Sequence, residues 1–132
     1  MRLQLALNVK DLDRAIDYYS RLFGAKPHKL RPGYANFAID DPALKLVLFE
    51  NAGASERINH LGVEVATQGE LDSAVARLAA DGLIGEYEEE TTCCHATQNK
   101  VWSSEPDGLS WEWYRITDDA PATAEADACC AA

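Results

Sequence analysis

The sequence predicts an α+β fold in which two βαβββ modules pair into one curved mixed sheet, with the helices on the outside. Three observations predict it: strand-like alternation near the start of the chain, an amphipathic helical stretch directly after it, and the return of the same order of elements in the second half. The modules cover approximately residues 1–52 and 57–117. Together they form one domain, residues 1–117, followed by a tail at residues 118–132.

The first module consists of a strand, a helix and three short strands. Residues 2–9 alternate between apolar and polar side chains, as a half-buried strand does. Asp11 or Asp13 then caps an amphipathic helix that ends at Gly24. Turn signals of proline, glycine and aspartate separate three strand-like runs, at residues 25–30, 34–39 and 44–50.

The second module repeats this order. Its strand, helix and three further strands are expected at residues 60–65, 69–80, 85–90, 100–103 and 110–116. When the two halves are laid over each other, residues 4–9 pair with residues 60–65, so Gln4 and His60 take equivalent positions. We therefore expect these two side chains to face each other.

Composition and charge exclude several classes of function. The chain has 132 residues, 47% of them hydrophobic, which is enough to build a core and excludes global disorder. Lys and Arg number 12 against 22 Asp and Glu, and the net charge of −10 repels phosphate backbones and anionic lipid. With neither a bilayer-length apolar stretch nor a leader segment, the sequence predicts a cytoplasmic protein without nucleic-acid or membrane partners. A second copy of the chain is also an expected partner, because open sheet edges can pair to form a homodimer.

The four cysteines occur as two adjacent pairs, Cys93-Cys94 and Cys129-Cys130. Adjacent Cα atoms lie about 3.8 Å apart, below the roughly 4.4 to 6.8 Å of ordinary disulfides, so free thiols in a reducing compartment are expected. The second pair lies in the tail, which is rich in alanine and aspartate and has no hydrophobic periodicity. The tail is therefore expected to be mobile.

Gln4, His60 and Glu112 are candidate metal ligands, because each lies on a predicted strand at the start or end of a module. Imidazole, amide and carboxylate donors suit a first-row divalent metal, and three protein ligands leave positions open for chemistry. The alternative is structural, with His60 as a hydrogen-bonded sheet histidine, Gln4 as an edge residue and Glu112 as an exposed strand position.

Cys93 and Cys94 are predicted to lie in the turn after the sixth strand, where a binding group would be displayed. Vicinal thiols chelate soft ions, and two of them match the two exchangeable positions of a trivalent arsenical that carries one carbon substituent. The alternative is that one thiol is a small core residue and the other incidental. His95 could lower a thiol pKa or cap a turn, and both roles remain open.

The aromatic residues near the end of the domain bear on the orientation of Glu112. Trp111 and Trp113 share one face of their strand, which puts Glu112 on the opposite face. If the tryptophans pack beneath the helices, as core aromatics commonly do, Glu112 faces the inside of the curved sheet.

Taken with this paired plan, several segments resemble the vicinal oxygen chelate superfamily of glyoxalases, bleomycin resistance proteins and extradiol dioxygenases. Within it, the chain is similar to the group of cadmium-induced proteins and carbon–arsenic lyases. The segments are QLALNVKDLDRAIDYYSRLFGAKP, PGYANFAIDDPALKLVLFEN, NHLGVEV, TTCCHATQNKVW and PDG-x-x-WE, and the resemblance covers residues 1–117.

The resemblance implies a non-haem Fe(II) dioxygenase that uses O2 to split the carbon–arsenic bond of trivalent methyl and aromatic arsenicals and releases arsenite, in arsenic detoxification. Carried over by position, Gln4, His60 and Glu112 would hold iron, and Cys93 and Cys94 would hold arsenic. One alternative is a non-catalytic cadmium- or arsenite-binding protein that uses its vicinal thiols. A thiol-transfer or isomerase member of the same fold, using another divalent ion, is a second alternative.

Overall fold

The computed structural model describes residues 1–93 and 95–121, with Cys93 described by its backbone only. The chain divides into two compact units, and the boundary in the sequence lies between Leu61 and Gly62. Met1 belongs to the second unit. The elements of the first unit are β1 (Arg2–Val9), α1 (Leu12–Phe23), β2 (Lys29–Arg31), β3 (Tyr34–Ile39), β4 (Leu44–Glu50) and the first half of β5 (Ile58–Glu64). The module bounds drawn from the sequence stay a prediction.

Helix α1 begins and ends where the sequence predicts. The Asp11 carboxylate accepts a hydrogen bond from the Arg14 backbone N–H, which satisfies a free donor in the first turn. Gly24 has a φ of 60°, a left-handed conformation that glycine adopts without a Cβ clash.

The strand expected at residues 25–30 is wrong in its bounds, because β2 is only Lys29–Arg31. Ala25 remains tied to the helix, since its N–H donates to the Ser20 carbonyl at 3.1 Å. Pro27 has no N–H for a sheet ladder, so pairing with β3 begins only after it.

The sheet of the first unit has the order β2-β3-β4-β1, and β1 runs parallel to β4 while the other neighbours are antiparallel. One face packs an apolar core against α1, including Leu7, Phe37 and Leu48. On β1 the alternate residues Gln4 and Asn8 point to the other face, where they are buried although polar. Strand alternation therefore separates a hydrophobic core from a buried polar face.

The second unit repeats this plan. It contains the end of β5, then α2 (Gln68–Ala80), β6 (Tyr87–Cys93), β7 (Ala96–Ser104) and β8 (Ser110–Asp118). The strands follow the order β6-β7-β8-β5, and the Val65 N–H donates to the Tyr114 carbonyl at 2.9 Å beside β8. This order corresponds to β2-β3-β4-β1, as the internal repeat predicts.

Strands β6 and β7 differ in their bounds from the runs expected at residues 85–90 and 100–103. They pair up to Cys93 and Ala96, because a register shift between Glu88 and Thr91 lets the ladder continue past the polar threonines. These threonines lack the hydrophobic alternation that predicts a strand.

The core of the second unit lies under α2. It contains Leu71, Leu78 and Val101, with Trp113 packed against them. The Arg77 guanidinium lies 5.1 Å from the centre of the Trp113 ring. Among residues 1–93 and 95–121, neither helix has the length and apolar character to cross a bilayer.

Candidate functional site

Gln4 and His60, the pair that the internal repeat predicts to be neighbours, are in direct contact. Gln4 Nε2 lies 3.1 Å from His60 Nε2, and both side chains are at least nine-tenths buried. The Phe49 ring is also close, with its centre 6.4 Å from that of the imidazole. The prediction that these two side chains face each other is confirmed within the first unit.

A chain of amide groups determines which nitrogen of His60 carries the proton. The backbone carbonyl of Glu56 can only accept, so Asn8 must turn its Nδ2 towards it, at 3.0 Å. Asn8 Oδ1 then accepts from Asn59 Nδ2 at 3.2 Å. Asn59 Oδ1 is thereby left facing His60 Nδ1 at 2.8 Å, and Nδ1 must be the donor.

The Gln4 amide N–H can only donate and it faces His60 Nε2, so in this arrangement Nε2 is the acceptor and has a lone pair. His60 Nε2 accepts from the Gln4 amide N–H in this structure, and the same lone pair is the one that a metal would use. Metal-bound histidines commonly donate their other N–H to an oxygen acceptor, the role that Asn59 takes here. Rotation of the Gln4 amide by about 180° would put its carbonyl oxygen, which can coordinate a metal, in the place of its N–H. These two side chains fit a divalent metal.

Glu112 lies in the second unit and is paired with Lys100. Lys100 Nζ lies 3.0 Å from Glu112 Oε2, and the two side chains are 1% and 4% exposed. The contact joins neighbouring strands, since Lys100 lies opposite Tyr114 and Trp102 opposite Glu112 in the β7–β8 register. A buried carboxylate suits a hard divalent cation, but here an ammonium group compensates its charge.

The predicted orientation of the aromatic residues is correct for Trp113, which packs in the core under α2. Glu112, its neighbour on β8, points to the opposite face of the sheet. Tyr114 shares the face of Glu112 and donates its hydroxyl to Glu64 Oε2 at 3.1 Å. The second unit thus also has a polar, buried face.

The β6–β7 hairpin carries the first cysteine pair. Cys93 is the last residue of β6 and lies opposite Ala96, the first residue of β7. The sequence placed Cys93 in the turn, whereas it ends the strand because the pairing continues further than expected. His95 is buried with a φ of 64°, a left-handed conformation typical of short hairpin loops. Cys94, Cys129 and Cys130 lie outside the described residues.

That Gln4, His60 and Glu112 bind one metal together remains a prediction. In the part of the chain that the structure describes, no group of three or more His, Cys, Asp or Glu side chains is arranged to hold a metal. The predicted set contains only two residues of those types, because its third member is Gln4.

Sequence reasoning missed Lys100 and the orienting residues Asn8 and Asn59. A lysine within the strand segment NKVW, where apolar residues are expected, was a signal for a buried charge with a partner. For the two asparagines only the adjacency of Asn59 to His60 was visible. Their hydrogen bond spans 51 positions of sequence and required the fold.

Comparison with known proteins supplies the relationships of this chain. A family model described as the Glyoxalase/Bleomycin resistance protein/Dioxygenase superfamily matches residues 3–113. The chain is 56% identical over 119 residues to the Cadmium-induced protein CadI of Mycobacterium tuberculosis, covering 90% of this chain and 78% of that protein. It is 52% identical over 132 residues to the Trivalent organoarsenical cleaving enzyme of Thermomonospora curvata, covering 98% and 87%.

A solved structure shows the same fold. The Mn(II)-bound glyoxalase from Novosphingobium aromaticivorans matches with a TM-score of 0.63 at 21% identity, covering 91% of this chain and 40% of that one. The predicted α+β fold of the glyoxalase type is confirmed.

Proposed function

The chain belongs to the Glyoxalase/Bleomycin resistance protein/Dioxygenase superfamily, and from this premise we propose that it cleaves the carbon–arsenic bond of trivalent organoarsenicals and releases arsenite. The proposed reaction is an Fe(II)-dependent dioxygenation of methylarsenite and aromatic arsenicals in arsenic detoxification, in which arsenic stays trivalent and leaves as arsenite while the co-substrate O2 oxidises the organic group that is released from it. Relatives named trivalent organoarsenical cleaving enzymes support the substrate class, at 52% and 38% identity.

The observation that carries the proposal is the hydrogen bonding of the two ring nitrogens of His60. Its Nδ1 proton is committed to Asn59, and its Nε2 lone pair lies beside Gln4, so the first unit presents two adjacent candidate ligands. We propose Glu112 as the third ligand, whose carboxylate would offset part of the charge of the cation. Bound Fe(II) would supply the one-electron and dioxygen chemistry that amino-acid side chains lack.

The protein itself would bind and orient the substrate. The thiols of Cys93 and Cys94 would each displace one hydroxyl group of the trivalent arsenical, which leaves as water with the thiol proton, so the organic substituent remains as the third group on arsenic. The hairpin between β6 and β7 then restricts where that substituent points, which lowers the entropy cost of reaching the reactive geometry. Such binding does not depend on charge, which suits an acidic protein and a neutral arsenical.

The decisive experiment is anaerobic reconstitution with Fe(II), addition of methylarsenite, admission of O2 and speciation of the arsenic that is formed. Inorganic arsenite produced over many turnovers, only with both iron and O2, is the expected result. Methylarsenite that stays bound at one equivalent without product would show that the protein is a thiol trap.

Substitutions should separate arsenic binding from metal binding. Cys93→Ser and Cys94→Ser should each abolish methylarsenite binding and leave iron uptake unchanged, because only the thiols bond to arsenic. His60→Ala and Glu112→Ala should lower the iron content at least about tenfold and leave stoichiometric arsenical binding intact. Equilibrium dialysis with elemental analysis measures both quantities, and turnover retained in both serine variants would contradict the assignment.

A non-catalytic metal-binding function is the second candidate, favoured by the names of the cadmium-induced relatives at 56% identity. A binding protein would take up Cd(II) or arsenite through its thiols and form no product. Cd(II) titration with and without residues 122–132 measures the contribution of the second cysteine pair. Arsenite production from methylarsenite decides between the two functions.

A further inference from the structure

Lys100 is a buried cation that the proposed reaction does not use. Its side chain is 1% exposed, although lysine normally keeps its ammonium group in water. The ammonium lies 3.0 Å from Glu112 Oε2 and 5.3 Å from the centre of the Trp102 ring. A carboxylate and an aromatic face, both attractive to a cation, therefore lie beside this group.

The ion pair compensates a cost that either partner alone would impose. Transfer of one charge into the interior is strongly unfavourable, and removal of one member of a buried pair leaves the other uncompensated. Without Lys100, the metal-free protein would bury the Glu112 carboxylate without this counterion. The same carboxylate is the proposed third metal ligand.

We propose that Lys100 is a positioning residue that acts as the counterion of Glu112 in the metal-free protein. Its ion pair with Glu112 must break when a divalent metal binds that carboxylate. This inference rests on the proposed function, because it takes Glu112 to be a ligand. The ammonium holds the carboxylate in place before the metal arrives. It also lowers metal affinity, since a cation near the ligand repels the incoming ion.

The test compares wild type with Lys100→Met, a neutral side chain of similar length. Without metal, the variant should unfold at a midpoint roughly 10 °C lower, because its buried carboxylate has lost this partner. Saturating Fe(II) under anaerobic conditions should remove most of this difference. Fe(II) should also bind the variant at least about tenfold more tightly.

Lys29→Met is the matched control, since Lys29 is another buried lysine but lies on β2 of the first unit. Its substitution should shift the unfolding midpoint equally with and without Fe(II) and leave the Fe(II) affinity unchanged. If Lys100→Met does not fold, Lys100→Gln retains an N–H donor without the charge and should show the same tighter metal binding.

The outcomes separate the two proposals. If Fe(II) does not bind to wild type, the proposed function fails. Should Fe(II) bind wild type and the Lys100 variants equally, with the stability difference unchanged by metal, Lys100 is only a structural residue and the inference is overturned.

Discussion

At the scale of single residues, the proton on His60 Nδ1 follows from one acceptor-only group, the Glu56 carbonyl, several contacts away. The Glu56 carbonyl orients Asn8, Asn8 orients Asn59, and Asn59 orients the imidazole. Each step is forced because an amide has one donating and one accepting end. The candidate metal ligand is thus prepared by neighbours that would not touch the metal.

Asn59 is therefore expected to control metal affinity. Asn59→Leu removes the acceptor for His60 Nδ1 and should weaken Fe(II) binding by about 10- to 100-fold, since such supporting contacts have effects of this size. Asn59→Asp retains an oxygen acceptor and should bind Fe(II) at least as tightly as wild type. Anaerobic titration measures both affinities. Equal weakening in the two variants would contradict an orienting role.

At the scale of elements, the second unit depends on a close backbone approach just before β6. Gly85 N–H donates to the Trp102 carbonyl at 2.8 Å, and the Trp102 N–H donates to the Glu86 carbonyl at 2.9 Å. A Cβ on Gly85 would lie 2.6 Å from the Trp102 carbonyl oxygen, closer than real Cβ contacts. Trp102 lies opposite Glu112, so this contact supports the strand beside the Lys100–Glu112 pair.

Gly85→Ala should lower the free energy of unfolding by roughly 1 to 3 kcal/mol, because the backbone of β7 must move to admit the methyl group. Gly53→Ala is the control, since the nearest atom to its Cβ would be Asn51 Oδ1 at 4.0 Å. Chemical denaturation of the two variants measures the difference. Equal free energies of unfolding for the two variants would show that the β7 backbone moves without loss of stability.

At the scale of the whole molecule, the described elements end before the second cysteine pair. Strand β8 ends at Asp118, and the family model ends at residue 113. The elements that carry the candidate ligands are therefore complete without residues 122–132. A homodimer remains a prediction of the sequence, as does the cytoplasmic location.

A chain truncated after residue 121 should keep its unfolding midpoint within a few degrees and retain arsenite production from methylarsenite. The reason is that the core residues, the candidate iron ligands and the first cysteine pair all remain. Thermal unfolding and arsenic speciation are the measurements. Loss of turnover with normal folding would assign the Cys129-Cys130 pair a part in catalysis.

The order of elements, the ends of α1 and the equivalence of Gln4 and His60 were predictable from the sequence. Those features depend on hydrophobic periodicity, on local capping and on an internal repeat, and all three are properties of the amino-acid sequence. The hydrogen bonds of the two His60 nitrogens and the pairing of Lys100 with Glu112 could be seen only in the folded chain. The Asn8–Asn59 and Lys100–Glu112 contacts join residues 51 and 12 positions apart, and hydrogen-bond partners at such separations are specified by strand register and burial.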